Sequence, residues 1–429
     1  MRKAASSARQ ASMPPHPATR TKDFSYLLRP EIYHTLPATA AAATNVPPPF
    51  QDASSRQPDP DATVGIADDV SGTLLADLLA AGHFRAAAIV AARQLVATPD
   101  PTDHARIFSL LYTRLVCLLL LDATSLATQE AKALEDLNNP FYRGDPVSGA
   151  DDHQLPPHLV PWELRVLHVR LQALGFGDPR RAVMSYYELA REARIRIADA
   201  LAAQDDAARE SWQLRLAELG IQVAGALIEM DDLAGAAAHL RNLNGQSSHT
   251  DTSANTTRSS RRIAMARALL WLQLGDVDEA RAAMGEREEP DLGDSLLPRG
   301  THGSVDHDLG QLTAARVVAA LCDMADGEYK TALASWRRLR EDAPDDEMIG
   351  VNLAVCMLYV GQMQEGRTIL EQLVDAGASS HTLLFNLSTM YELCTDRAKT
   401  FKLGLAQRVA DQTPVAGQSW EKTNADFKL

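Results

Sequence analysis

Near its C-terminal end the chain echoes itself at a fixed distance, and this constrains the fold more than any other feature. Asp326-Gly327-Glu328-Tyr329-Lys330-Thr331-Ala332 is followed by Trp336 and then Ala343-Pro344. Thirty-four residues on, Gly327 becomes Gly361, Ala332 becomes Gly366 and Trp336 becomes Leu370, while Asn352-Leu353 becomes Asn386-Leu387. The spacing has a physical reading. A glycine ends one helix because the tight turn needs a residue tolerant of unusual dihedrals. An aromatic or aliphatic residue two positions later plugs the gap between helices. Five positions after the glycine, Ala or Gly lets two helix backbones approach closely. A large residue four further on fills the core, and Pro344 closes the unit because it cannot continue a helix.

A period of about 34 is that of the tetratricopeptide repeat, a helix–turn–helix unit. The signature recurs less regularly upstream. Gly82 precedes Ala87, Ala91 and Pro99; Gly177 precedes Ala182 and Tyr186; Asp231 precedes Ala236 and Leu240; Gly275 precedes Ala280 and Met284; a weaker version surrounds Leu126-Ala127. Between the small residues Ala87, Ala127, Ala182, Ala236, Ala280, Ala332 and Gly366 the intervals are 40, 55, 54, 44, 52 and 34 residues. The excess falls in polar stretches near 138–158, 244–261 and 285–310, read as loop insertions. Apolar residues recur at three- and four-residue steps from Ser71 onward, with no long alternating strand pattern. The expected fold is all-α: a right-handed α-α superhelix, a tetratricopeptide-like solenoid of about seven hairpins spanning 71–410, with 381–410 as its polar cap and 411–429 as a C-terminal tail.

Composition narrows the function. Aromatics make up only 5%, which suits closely packed helices. Lys and Arg number 42 against 56 Asp and Glu, a formal charge of −14, and an acidic body repels phosphate backbones, so nucleic acid is not an expected partner. Apolar runs are short, as in the seven residues Leu115 to Leu121. A membrane-spanning helix needs roughly 20, so no transmembrane segment is expected. No apolar stretch follows Arg2 and Lys3 as a secretory leader requires. Cys117, Cys322, Cys356 and Cys394 are at least 34 residues apart and read as reduced, mostly buried thiols of a cytosolic protein.

Residues 1–70 read as a disordered tail, with Pro14, Pro15, Pro17, Pro47, Pro48 and Pro49, an Ala/Thr tract and a polar Ser/Gln/Asp stretch. Its acid-free start loosely resembles a mitochondrial transit peptide, but prolines interrupt the helix such a peptide uses. Within it, 24–34 concentrates Phe24, Tyr26, Leu27, Leu28, Ile32 and Tyr33. This is either a short motif docking on a partner or on the chain's own body, with Phe24, Tyr26 and Leu28 as contact residues, or a stretch without a role.

A search for chemistry finds no catalytic constellation, cofactor site or metal site. There is no Gly-x-Ser-x-Gly elbow and no phosphate loop, and Gly175-Phe176-Gly177 lacks the third glycine of a dinucleotide fingerprint. His302, Asp306, His307 and Asp308 lack a cysteine and a helical scaffold and read as a solvated loop rather than a metal site. The acidic run Glu341, Asp342, Asp345, Asp346, Glu347 reads first as charge bias at a helix N-terminus, second as a site for a basic partner. Asn352 and Asn386 sit nine residues before equivalent turn positions, on the helix that lines the concave groove of such arrays. They either hydrogen-bond an extended peptide or partner loop, or bond one helix to another. The natural reading is a scaffold or adaptor, not an enzyme.

The C-terminal third goes beyond a generic repeat. Asn352-Leu353-Ala354-Val355-Cys356-Met357-Leu358-Tyr359-Val360-Gly361, then Leu383-Leu384-Phe385-Asn386-Leu387-Ser388-Thr389-Met390-Tyr391-Glu392-Leu393, resembles the end of the subunit 12 family of the trafficking protein particle (TRAPP) complex. Leu159 to His168 and the closing Asn424 to Leu429 are also similar to that family. The resemblance implies a non-enzymatic tetratricopeptide subunit of an assembly that tethers vesicles and promotes nucleotide exchange on Rab GTPases, in endoplasmic reticulum-to-Golgi traffic and autophagy. It implies contacts with the large peripheral subunits 11 and 8, with the core and the Rab GTPase only indirectly, and a cytoplasmic protein at Golgi membranes. The alternative is a tetratricopeptide adaptor or co-chaperone binding an extended peptide in its groove. A third reading puts a cryptic enzymatic site in the 285–310 insertion.

Overall fold

The computed structural model describes residues 22–36, 75–144, 156–244, 254–284 and 305–411. Most of the expected tail, the middles of the three insertions (with His153, His302 and the acids of 285–294) and the C-terminal residues 412–429 (with the Asn424 to Leu429 similarity) lie outside the described residues. Among the described residues, sixteen α-helices follow one another. They are α1 (residues 75–80), α2 (Phe84–Val96), α3 (His104–Leu120), α4 (Thr124–Ala131), α5 (Trp162–Phe176), α6 (Pro179–Ala202), α7 (Asp206–Glu229) and α8 (Leu233–Asn244), then α9 (Ala254–Leu274), α10 (Val277–Met284), α11 (Val305–Ala325), α12 (Tyr329–Asp342), α13 (Glu347–Val360), α14 (Met363–Asp375), α15 (His381–Cys394) and α16 (Ala398–Asp411). Among the described residues the one piece of β pairing is an isolated bridge between Arg143 and His158.

The chain is an all-α superhelix of hairpins, and its turns show why. Seven hairpin turns among the described residues carry a residue in the left-handed region: Gly82, Asp122, Gly177, Asp231, Gly275, Gly327 and Gly361, with φ between 60° and 88°. At each, the next amide donates back across the helix end, as Glu328 N–H does to Asp323 O and Gln362 N–H to Met357 O, both at 2.8 Å. This 6→1 bond is the Schellman closure, which satisfies a carbonyl the helix end would otherwise orphan. Five residues after each left-handed position stands Ala87, Ala127, Ala182, Ala236, Ala280, Ala332 or Gly366, and all seven are buried. At Gly366 the packing is tight: an added methyl would lie 3.1 Å from the Ala354 carbonyl oxygen. Pro344 sits in the turn between α12 and α13.

Contacts run to near neighbours along the chain. Each helix packs on the next, and first helices of successive hairpins also touch, as in α7 with α9, α9 with α11 and α13 with α15. The core is correspondingly a string of clusters in chain order, the signature of a quasi-one-dimensional array. One is built on Trp336 and Leu353, the next on Leu370, Leu387 and Tyr391. Cys117, Cys322 and Cys356 are buried, Cys394 half-buried, and none is joined in a disulfide.

Three expectations need correction. Residues 254–261 begin α9 and residues 305–310 begin α11, so helix occupies parts of both later insertions. Polar composition there matched a loop, but a helix anchored by an apolar face propagates through polar residues once nucleated. Asp306, His307 and Asp308 thus fall within α11 rather than in a loop. Third, 24–34 is ordered: two 3₁₀ turns, Ser25–Leu28 and Pro30–Ile32, pack against α2, α3 and α4.

Candidate partner-docking surfaces

The C-terminal hairpins present an outward-facing pattern that repeats from one hairpin to the next. On α13, Met348, Asn352, Val355 and Tyr359 share one face; on α15, the residues 34 further on are Thr382, Asn386, Thr389 and Leu393. The two helices are adjacent, so these faces form one strip. Tyr359 is 62% exposed, Leu393 55% and Phe385, beside Asn386, 53%. Tyr359 and Leu393 repeat at one register, and large apolar side chains this open are typical of an interaction surface. Asn352 Nδ2–H donates to its own helix at Met348 O (2.9 Å), and Asn386 Nδ2–H to Thr382 O (2.8 Å). Among the described residues each amide bonds within its own helix, at the same step of the ladder.

Three acids of the nearby run, Asp342, Asp346 and Glu347, are engaged within the array. Asp346 caps α13 by accepting from Ile349 N–H (3.0 Å), and Asp342 pairs with Arg316 (3.4 Å). Glu347 accepts from Ser380 Oγ–H, and Ser380 caps α15, so consecutive first helices are tied at their N-termini. Beneath the strip, the Tyr391 hydroxyl donates to Glu371 (2.9 Å) and accepts from Arg408 (3.2 Å), and Lys402 pairs with Glu392.

A second surface lies at the other end, already filled. Phe24 and Leu27 are fully buried in the cluster of Phe108, Leu111, Leu115 and Leu134. The Phe24 ring meets Phe108 edge-on at 5.0 Å and Phe141 at 5.3 Å. Tyr26 and Leu28 pack against the same cluster. The Tyr142 hydroxyl donates to Leu134 O (2.7 Å), so Tyr26 donates to Tyr142 across 2.6 Å. Burial pushes the Tyr26 phenol far above its ordinary range, which keeps it a neutral donor. The three residues weighed as partner contacts are therefore on the chain's own body. Tethering gives the segment a high local concentration over a groove that matches it.

The floor of this groove was not visible in the sequence. Arg114 and Glu130, on different helices and both buried, form a fork-to-fork pair at 2.7 and 3.0 Å. Arg114 also donates to Ala88 O (3.1 Å) and to His34 O (2.8 Å), while Glu130 accepts from His34 N–H (2.9 Å). A second buried pair, Arg165 with Glu192 at 2.7 and 3.1 Å, joins α5 to α6. Burial alone would raise the Glu192 carboxyl, but hydrogen bonds and charge from Arg165, with help from Arg143, hold it below its ordinary value. Beside it, burial and the Arg165 charge push His158 down to about 4. Its Nδ1 accepts from Val160 N–H (3.0 Å), so the proton sits on Nε2 and is donated to Leu137 O (3.0 Å).

Among the described residues, no group of three or more His, Cys, Asp or Glu is placed to hold a metal ion, and no helix is long and apolar enough to cross a membrane. No protein-family model matches the chain. Over 77 residues the chain is 36% identical to trafficking protein particle complex subunit 12 of Mus musculus, a match spanning 17% of this chain and 10% of that protein. Three solved structures are similar. The tetratricopeptide domain of P58(IPK) is 14% identical, over 79% of this chain and 90% of that one, with a TM-score of 0.19. Acl4, the assembly chaperone of RpL4, is 14% identical, over 81% and 100%, with a TM-score of 0.27. Naa15/Naa10 bound to HypK-THB is 12% identical, over 80% and 49%, with a TM-score of 0.25.

Proposed function

We propose that this chain is a non-enzymatic scaffold subunit of a TRAPP-type vesicle-tethering and Rab-exchange assembly, working through protein–protein contacts of its helical-repeat surface. The observation that carries this reading is the exposed strip on α13 and α15, with Tyr359, Phe385 and Leu393 open to solvent and Asn352 and Asn386 in register. The local similarity to subunit 12 of the mouse trafficking complex supports the choice of assembly. In this reading residues 71–410 are the scaffold, 1–70 and 411–429 are extensions of it, and the segment 22–36 folds back onto the body. Large peripheral subunits such as 11 and 8 are the direct partners. The core and the Rab GTPase are reached through them, and the protein sits in the cytoplasm at early secretory membranes.

The test is affinity purification from the native cells, with mass spectrometry, of tagged wild type and of Tyr359→Ser/Phe385→Ser/Leu393→Ser. Near-stoichiometric TRAPP subunits with wild type, lost in the triple variant at unchanged melting temperature, are the expected result. Recovery of chaperones or client proteins instead would favour the second reading, an adaptor or co-chaperone holding an extended peptide along the two asparagines. Those amides at one register are the observation that keeps it in view.

A further inference from the structure

We propose that the groove between α2, α3, α4 and the 132–142 connection is a peptide-binding site, and that residues 22–36 are its detachable resident ligand. The ligand class is a short segment with an aromatic, a second aromatic two residues on, two aliphatics directly after it, and a tyrosine five beyond those: Phe24, Tyr26, Leu27, Leu28 and Tyr33 here. The inference does not depend on which assembly the chain joins.

The contacts are those of a bound peptide rather than of a helix in the array. Phe24 enters a pocket of aromatic edges, and Leu27 and Tyr33 are buried while Ser25, Arg29, Pro30 and Glu31 face solvent. The backbone is gripped at both ends. Phe24 N–H donates to Pro101 O (2.9 Å), His34 N–H donates to Glu130 (2.9 Å), and His34 O accepts from Arg114 (2.8 Å). Lys22 reaches the Arg143 carbonyl oxygen. Pockets for side chains with main-chain bonds at the ends are how peptides are read by folded domains.

The floor is built to survive an empty groove. Arg114 and Glu130 satisfy each other through two bonds, and Arg114 keeps its bond to Ala88 O. Release of the segment removes from this pair the two backbone bonds of His34 and the 3.6 Å contact of its ring with Glu130, and water replaces these without leaving an unpaired buried charge. The aromatic and aliphatic wall, Phe108, Leu111 and Leu134, then drives rebinding. Thirty-eight residues, 37–74, separate the segment from α1, so connectivity does not force the docking. A tethered ligand of this kind is displaced by a free one only above its effective concentration, on the order of millimolar for short flexible links and lower for long ones.

The test uses the full chain. A fluorescent synthetic peptide of residues 22–36 is titrated into wild type and into Phe24→Ala/Leu27→Ala, whose own segment no longer fills the groove. The double variant binds the peptide one-to-one, unlabelled peptide competes, and the Phe24→Ala peptide binds about 100-fold more weakly, as loss of a buried aromatic anchor requires. Wild type binds the label at least about tenfold more weakly than the variant, because the resident segment competes. A helical, cooperatively melting double variant that ignores the peptide overturns the proposal. Native-state hydrogen exchange on wild type decides the matter should the variant not fold. The amides of Phe24, Leu27, Tyr33 and His34 open together at least about tenfold more often than those of α3. Exchange of both sets only through one common unfolding event would make the segment an integral part of the repeat and overturn the proposal.

Discussion

Replacing Ala332 by aspartate is the sharpest test of the packing argument. Ala332 has no exposed surface and lies five residues after the left-handed Gly327, where α12 crosses its neighbours in the cluster of Val317, Ala320, Trp336, Leu353 and Met357. A carboxylate there is buried in an apolar cluster, which favours its protonated form. Holding an ordinary carboxyl neutral at pH 7 costs about 4 kcal/mol at ~1.4 kcal/mol per unit. The extra volume adds ~1–3 kcal/mol of overpacking. Ala332→Asn carries the volume and polarity without the charge. Ala334, on the same helix but exposed, is the control, and aspartate there costs only helix propensity, ~0.5 kcal/mol. Urea denaturation followed by circular dichroism at pH 7 should rank Ala332→Asp well below Ala332→Asn, with Ala334→Asp near wild type. Near pH 4 the gap between the aspartate and asparagine variants of Ala332 should shrink by most of that 4 kcal/mol, because the unfolded carboxyl is then half protonated too. If aspartate in place of Ala332 costs no more than in place of Ala334, the helix-crossing register is wrong.

Other expectations follow from single groups. Arg114→Met leaves Glu130 buried and unpaired and should cost ~3–5 kcal/mol, while adding Glu130→Leu should restore most of it in the same denaturation assay. Asp122 holds φ of 60° at the α3–α4 turn, so Asp122→Gly should raise stability by ~0.5–1 kcal/mol, whereas Gly361→Ala, whose new methyl meets nothing within 4 Å, should cost about 1 kcal/mol from its φ of 88° alone. Burial lowers both His158 and His168 to about 4. Between the unfolded value near 6.5 and that folded value the unfolded chain binds more protons, so stability is intact above pH 6.5 and falls as the pH drops toward 4. The loss should approach ~3 kcal/mol for deeply buried His168 and be smaller for half-buried His158, read as a falling urea midpoint that His168→Gln removes in part.

What was legible in the sequence was whatever the turn chemistry writes locally. Gly327 and Gly361 stand 34 residues apart because both must take φ above 80°, and the small residue five places on is fixed by helix crossing. Where aspartate takes that position, at Asp122 and Asp231, the signal weakens, since Asp is also an ordinary helix cap; Asp232 is one, accepting from Gly235 N–H at 2.9 Å. Short side chains that hydrogen-bond locally tolerate the left-handed region, so an Asp before a short polar link, five residues ahead of a buried Ala, was the usable clue. The starts of α9 and α11 were hidden by polar composition. The groove floor was hidden for a different reason. Arg114, Glu130 and His34 come from three separate elements, and no local pattern reports a pair whose partners are 16 and 80 residues away.

The two ends of the array are closed by different devices, and this bears on where partners can dock. A solenoid must cover the apolar edge of its first and last units. On the last hairpins described, α16 packs Leu405 and Val409 on the cluster of Leu387 and Tyr391, and Arg408 bonds Asp375 and Tyr391. These contacts hold α15 between α13 and α16, so the strip of Tyr359, Phe385 and Leu393 stands on a rigid base and loses little conformational entropy when a partner covers it. At the N-terminal end the cover is a peptide gripped by side-chain pockets and a few backbone bonds, with a self-satisfied ion pair below it. Under the two proposals above, the firmly based face would carry constitutive contact and the exchangeable one conditional contact. Because coupling in such an array passes only between neighbours, emptying the N-terminal groove should leave binding at α13 and α15 unchanged.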